Sequence, residues 1–384
     1  QAPSPIGRLE GTPDDPSGGP SGPRQGRLTS SRVRIEQLVP GERPDPNLVG
    51  AVLTGDLQVG REHWSKGRRL SASDLASLAG LEPTEVIGQR ERARAGLTVL
   101  VPDPGEIHED EAAGRLATAI AGGGLVRRGP AESRVDLLAA APGVVHVRVG
   151  LLERLNRIDT IEVFSVFDGQ IVSAGELVAS AKVAPHLVPA ATLDRAVGVA
   201  GQRGIVGVAP FVPRRVSVVV KESLHPLARE RFEASVRAKV ESLGSRIVGF
   251  EYAEDRLDSV ARALAAGGAA SDVILTAGSA STDPSDPFFV AIDRLGGRIV
   301  RRGVPAHPGS MLWLARLGRV DILGLPTCGA YSRATAADLI LPRLLTGERV
   351  SRGLVAGLGH GGVLGRSMRF RFPAYARDLE APDG

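Results

Sequence analysis

The 384-residue sequence predicts an α/β fold. The expected form is a doubly wound, mainly parallel sheet with one antiparallel strand, preceded by an α+β region. Three observations carry that expectation. From residue 216 onward, short apolar runs alternate with longer segments of helical period. Between residues 298 and 325 the strand-like runs lie too close together for crossover helices, so one of them has to pair antiparallel. Upstream of 216 the pattern is irregular, with alternating strand-like runs and isolated helical stretches in no regular βαβ order.

Taken in order, residues 1–31 are rich in Pro, Gly, Ser and Arg with almost no apolar periodicity, and are expected to be disordered. Order is expected from Val33 to Leu38. Residues 32–215 form the α+β region, with strands over 49–53 and 97–101 and a helix over 71–79 that Ser71 or Ser73 caps. A helix over 109–120 carries acids in its first turn, where they complement the helix dipole. Strands over 160–167 and 176–183 flank the turn at Asp168-Gly169-Gln170. Residues 216–349 form the α/β domain. Its strands are expected at 216–220, 247–250, 273–276, 298–302, 311–314 and 320–325. Helices follow Leu227, Leu257, Phe288 and Ala334, the first placing Leu227, Phe232, Val236, Val240 and Leu243 near helical spacing. Residues 350–384 read as a C-terminal tail.

Composition narrows the function. At 42% apolar and 23% charged, the chain suits an ordinary soluble core, and with aromatics at only 4% that core rests on Val, Leu, Ile and Ala. The net charge is +4, and arginines are scattered as pairs such as Arg68-Arg69 and Arg301-Arg302. A nucleic-acid partner would call for a basic stripe with interleaved aromatics, so an anionic small molecule fits better. A single cysteine, Cys328, leaves no intrachain disulfide and no CxxC zinc site. No apolar run approaches the ~18 residues of a membrane span. No basic-then-apolar leader opens the sequence, so no membrane contact and a cytoplasmic location are expected.

The stretch around which the chain is organised follows the strand at 273–276. Thr276, Gly278, Ser279 and Ser281 lie where a strand ends and a helix begins, which offers backbone N–H groups and hydroxyls at the carboxyl edge of a sheet. Open α/β proteins bind anionic ligands there. Asp283 and Asp286 have the chemistry to hold Mg²⁺ on a phosphate, while Asp286 also stands where a helix cap would. His307 reads either as a switchable cation or as a surface-loop histidine. Cys328 reads either as a reactive thiolate or as a small packed residue. Glu106-Ile-His-Glu-Asp-Glu111 lacks the HExxH spacing and reads as a solvated helix start. Gly357-Leu-Gly-His-Gly-Gly362 matches GxGxxG, yet no βαβ unit frames it, and it reads as a flexible tail or hinge.

The order Thr276-Ala-Gly-Ser-Ala-Ser281, Gly296-Gly297, Gly303-Val-Pro-Ala-His-Pro-Gly309 and Gly324-Leu-Pro-Thr-Cys-Gly329 resembles the molybdopterin-binding domain. That domain is shared by molybdopterin adenylyltransferases and molybdopterin molybdenumtransferases. Lys66 to Leu75 and Gly105 to Glu111 resemble a region found beside molybdenum-cofactor cytidylyltransferases, although no Gly-rich nucleotidyltransferase motif followed by Lys is present. The resemblance implies that Thr276, Gly278, Ser279 and Ser281, then His307, Pro308, Gly309 and Ser310, then Pro326, Thr327, Cys328 and Gly329, hold the pterin and its phosphate. It also implies Asp286 and Asp283 as catalytic groups and magnesium ligands, molybdate as co-substrate, and a homo-oligomer. Two roles follow from it: molybdate insertion into adenylylated molybdopterin, or a non-catalytic carrier serving a cytidylyltransferase or a molybdoenzyme. An unrelated nucleotide-dependent α/β enzyme is a third expectation. This sequence departs from the family where charge does the chemistry. His307-Pro-Gly-Ser-Met311 stands where the family has two lysines around Pro-Gly, and Lys221-Glu222-Ser223 stands where it has Gly-Asp-Glu.

Overall fold

A computed structural model describes residues 34–81, 86–88, 97–221, 223–325 and 334–377. The expected disorder of residues 1–31 and the whole of Pro326 to Gly329 lie outside these residues. The region expected as one α+β unit over 32–215 folds around two separate cores. In the first, the helix Ala72–Ala79 and short antiparallel strands pack around Trp64, Leu70, Leu75 and Leu78. Ser71 starts that helix with a reciprocal capping box, accepting from the Asp74 amide while Asp74 accepts from the Ser71 amide. In the second, the helix Glu109–Ile120 buries Ala112, Ala113, Leu116 and Ile120. It covers an antiparallel sheet in the order Ile161–Ser165, Leu177–Val183, Arg134–Ala139, Leu125–Ala131. Two cores arise because the apolar residues on either side of the Val101–Glu106 connection close on themselves.

Residues 106–111 do hold a helix start, with His108 as the N-cap of the helix Glu109–Ile120, but it is not the solvated one expected. His108 and Glu109 are both buried. His108 Nδ1 accepts from the Asp110 amide, so its Nε2 carries the proton and donates to the Gly67 carbonyl at 2.8 Å. Glu109 Oε2 lies 3.0 Å from His186 Nδ1, close enough for an ion pair though not aligned as a linear hydrogen bond. His108 thus clasps the second N-terminal unit to the first, while the Glu109–His186 pair lies within the second; both partners are too far away in sequence to be read from local pattern.

The α/β domain is built as expected. Its sheet comprises β1 (Arg215–Val220), β2 (Arg246–Tyr252), β3 (Val273–Ala277), β4 (Arg298–Arg302), β5 (Trp313–Leu317) and β6 (Val320–Gly324), in the order β2-β1-β3-β6-β5-β4. β2, β1, β3 and β6 are parallel, while β5 is antiparallel to both neighbours. Alternate side chains of the parallel strands enter two different cores, which is the mark of a sheet covered on both faces. Val216, Val218 and Val220 pack with α1 (Pro226–Glu241) and, downstream, α4 (Ala337–Leu345). Val219 and Ile274 pack with α2 (Leu257–Ala270) and α3 (Pro287–Arg294).

The segment expected as a tail past residue 349 is packed into this domain as far as residue 377. Val350, Val355, Leu358, Leu364, Phe372 and Ala376 are buried in the same core as the strand valines. The Gly-rich run is no hinge either, because the His307 amide donates to the Gly362 carbonyl and the Leu364 amide to the His307 carbonyl, both at 2.8 Å. Spread over 27 residues, six apolar side chains give no clear period, which hid the packing. A network around the buried Arg343 joins the α/β domain to the second unit: Arg343 Nη2 donates to the exposed Asp168 Oδ2 at 3.0 Å, and the half-buried Glu348 pairs with His146 at 2.7 Å.

Two outcomes test these assignments. Phe372→Ala should lower unfolding free energy by about 3–5 kcal/mol in urea titrations; a disordered tail predicts no change. Glu109 holds the His186 pKa above its ordinary value, with burial opposing. The Glu109–His186 pair therefore stabilises fully below the ordinary histidine pKa of 6.5 and loses its contribution as pH rises through the raised value. The stability difference between wild type and His186→Gln should accordingly shrink as pH is raised from about 6 through that window.

Candidate functional site

The sheet register fixes where the predicted residues stand. Val219, Thr276, Gly324 and Trp313 form one row across β1, β3, β6 and β5. This row lies at the carboxyl edge of the parallel strands, and the chain leaves β3 there into the loop 278–286. Gly278 has φ +85°, a left-handed turn that L side chains rarely adopt, so the strand can break sharply into the loop. Gly324 serves another purpose: a Cβ there would come within 2.1 Å of the Trp313 ring, so only glycine lets the indole cross β6. Trp313 is buried and donates from Nε1 to Ser279 Oγ at 2.9 Å. Beneath it, Phe289 packs edge-on at 5.1 Å, and Arg302 stacks over Phe289 at 4.0 Å.

Asp286 braces the loop. Its carboxylate is fully buried and caps α3, with Oδ1 accepting from the Phe288 amide at 2.9 Å. Oδ2 accepts from the Ala280 amide at 2.6 Å and from Lys221 Nζ at 3.0 Å. Lys221 follows directly on β1 and also reaches the exposed Asp255 at 2.7 Å. Burial works against its charge, but the hydrogen bonds it donates to Asp255 and Asp286 outweigh that and hold its pKa above the ordinary lysine value. Lys221 is the residue that sequence reasoning missed, since the sequence presents it only as a departure from Gly-Asp-Glu. The one available signal was a lysine directly after an apolar strand at the binding edge.

The other predicted residues separate into two groups. Ser279 and Ser281 are half-buried in the loop, with their hydroxyl oxygens 3.4 Å apart. The amides of Gly278, Ser279, Ser281 and Thr282 make no hydrogen bond among the described residues. Thr276 is fully buried, and its hydroxyl has no hydrogen-bond partner among the described residues. Asp283 is exposed and accepts from the Ser285 hydroxyl at 2.6 Å and the Ser285 amide at 2.8 Å; these bonds lower its pKa, with Lys221 adding a smaller pull. His307, Pro308, Gly309 and Ser310 lie between β4 and β5 on the same edge. Their contacts run elsewhere: the Pro308 carbonyl accepts from the Ala336 amide at 2.9 Å, and His307 pairs with Val363. Among the described residues no hydrogen bond or ion pair joins this second segment to the loop 278–286.

A serine-rich loop with unpaired amides, at the carboxyl edge of a parallel sheet and ahead of a helix, has the chemistry to receive an oxyanion. Residues 216–346 match the family model of the probable molybdopterin binding domain. That domain spans about a third of the 384 residues and coincides with the six-stranded sheet and its helices. No curated protein matches the chain. Among solved structures, the molybdopterin biosynthesis MoeA protein from Pyrococcus horikosii is 14% identical, covering 63% of this chain and 79% of that one, with a TM-score of 0.28. The MoaB enzyme of molybdopterin biosynthesis from Thermus thermophilus is 21% identical, covering 35% of this chain and 98% of that one, with a TM-score of 0.26. A MogA structure is 18% identical, covering 39% and 95%, at 0.22. At such TM-scores these likenesses carry no argument about fold or chemistry.

Breaking a largely buried ion pair from one side should destabilise the α/β domain strongly. Lys221→Met is expected to cost about 3 kcal/mol in chemical denaturation, because it strands Asp286 without its counter-charge. Asp255→Asn, at the exposed end of the same network, should cost less than about 1 kcal/mol.

Proposed function

We propose that this chain is a molybdopterin-binding protein of molybdenum-cofactor biosynthesis that holds the pterin rather than transforming it. The observation that carries this reading is the loop 278–285, whose amides at Gly278, Ser279, Ser281 and Thr282 are free of partners among the described residues. In this reading those amides, with the Ser279 and Ser281 hydroxyls, receive the phosphate of the pterin, and Trp313 sets the Ser279 rotamer by its hydrogen bond. Bound molybdopterin supplies a dithiolene for molybdenum, while the chain's own residues hold and orient it.

The same geometry argues against a magnesium site on the two aspartates. Asp286 already receives three donors, one of them the Lys221 ammonium, which occupies the position a cation would take on Oδ2. Asp283 alone, exposed and drawn onto Ser285, is one carboxylate, and no group of three or more metal-ligating side chains occurs among the described residues. Insertion of molybdate would need free positive charge at the phosphate, but the nearby lysine is committed to two carboxylates. A pterin held without turnover must be passed on, and a cytidylyltransferase or a molybdoenzyme is the proposed recipient. No helix among the described residues is long and apolar enough to cross a membrane.

The protein should be purified from a molybdopterin-producing host and its bound pterin oxidised to a fluorescent derivative for quantification. Near-stoichiometric pterin is expected in the wild type. Ser279→Ala/Ser281→Ala should bind the pterin roughly thirtyfold more weakly and so retain far less, since two hydrogen bonds of about 1 kcal/mol each are lost. Adenylylated molybdopterin and molybdate supplied to the purified protein should show no hydrolysis above the uncatalysed rate. Turnover there would reverse the carrier reading in favour of a molybdenumtransferase.

A further inference from the structure

The opposite edge of the same sheet holds a second feature that the pterin reading does not use. Arg298 pairs across the strands with Arg316, Arg316 with Asp321, and Asp321 with Val273, so this row marks the amino ends of the parallel strands. Here a hollow of about 580 Å³ is lined by Arg298, Arg316, Arg349 and Arg352, together with Ser351 and apolar backbone neighbours, and by no acidic residue. Arg316 is largely buried and neutralised by Asp321, with Nε at 2.8 Å and Nη2 at 2.7 Å. It forms the floor.

The remaining three guanidiniums are exposed. Arg352 is held in place by donating from Nε to the Val300 carbonyl at 2.6 Å, which leaves its two terminal nitrogens for other partners. Arg298 and Arg349 make no ion pair among the described residues, whereas Arg294, Arg215 and Arg229 on the same domain each pair with a carboxylate. Three unneutralised cations lining one hollow raise its positive potential, which an anion entering it would lower. A guanidinium is planar and meets phosphate oxygens through two parallel N–H donors, so three of them suit a ligand with several adjacent phosphate oxygens. The hollow falls within the ~300–1,000 Å³ range of small-molecule sites and exceeds the needs of one orthophosphate. It is also separated from the loop 278–286 by the length of the strands, five residues or roughly 17 Å.

We propose that this arginine hollow is a binding site for a polyphosphate-bearing small molecule, a di- or triphosphate whose charge is met by Arg298, Arg349 and Arg352. The site is independent of the pterin loop, and the two can fail separately.

The full chain should be titrated calorimetrically with orthophosphate, pyrophosphate, inorganic tripolyphosphate and a nucleoside triphosphate, in low and in moderate salt. Saturable binding that strengthens from orthophosphate to tripolyphosphate and weakens with salt is expected. A nucleoside triphosphate that binds more tightly than tripolyphosphate would place a nucleoside in the hollow as well; equal affinity would assign the ligand to the phosphate chain alone. Both results support the site provided that Arg298→Ala/Arg349→Ala weakens binding at least tenfold while Ser279→Ala/Ser281→Ala leaves it unchanged. Both arginines are exposed and unpaired among the described residues, so the variant should keep the wild-type circular dichroism and Tm. Three results would overturn the proposal: no saturable binding at millimolar tripolyphosphate, equal affinity in wild type and the arginine variant, or loss of binding only in the serine variant.

Discussion

A single buried ion pair organises the binding edge of this protein. Lys221 leaves the end of one central strand and Asp286 opens the helix that follows the next, 65 residues away in sequence. Their side chains are 5% and 0% exposed, so neither charge is tolerable alone. The pair therefore fixes how far the loop between Ala277 and Pro287 can travel from the sheet. With Ala280 hydrogen-bonded to the same carboxylate, the loop folds over the strand end as a short arch. The consequence is functional as well as structural: a carboxylate that supports the arch is not available to carry a metal ion, so the edge is suited to holding an anion by backbone and hydroxyl donors.

The aromatic layer under the arch depends on the same constraint. Trp313 can reach Ser279 only because Gly324 opens a gap in the neighbouring strand, and Phe288 and Phe289 fill the space below it. Lys221 lies 5.9 Å from the Phe288 ring centre, so its charge is in contact with both the polar arch and the apolar floor. Further out, the Arg343 network ties the domain to the unit at 106–211, and the His108 hydrogen bond to Gly67 ties that unit to the first one. The N-terminal units are thus attached through polar contacts that are at least partly buried on one side, which reward correct pairing and penalise its loss.

How much of this could be read in the sequence follows from the range of each interaction. The six strands and four helices of the α/β domain were legible because each is declared by its own apolar period, and the antiparallel placement of β5 followed from the short spacing between 298 and 325. Asp286 as a helix cap was legible for the same reason, since its partner Phe288 is two residues away. Lys221 was not, because its role is set by a carboxylate from another element. His108 and Glu109 looked solvated beside their acidic neighbours; their burial depends on Gly67 and His186 from other parts of the chain. Residues 350–377 looked like a tail because their apolar side chains are sparse and reach the core one at a time.

The central claim is that the arch beside Trp313 receives molybdopterin. The sequence has two tryptophans, Trp64 in the first N-terminal core and Trp313 under the arch, so the indole N–H signals in a nitrogen–proton correlation spectrum form a two-point reporter. A Trp64→Phe variant assigns them. Adding molybdopterin released from a molybdoenzyme should shift the Trp313 signal, whose proton is bonded to Ser279, and leave Trp64 in place. An unmoved Trp313 signal under saturating pterin, or a shift of Trp64 alone, would contradict the account.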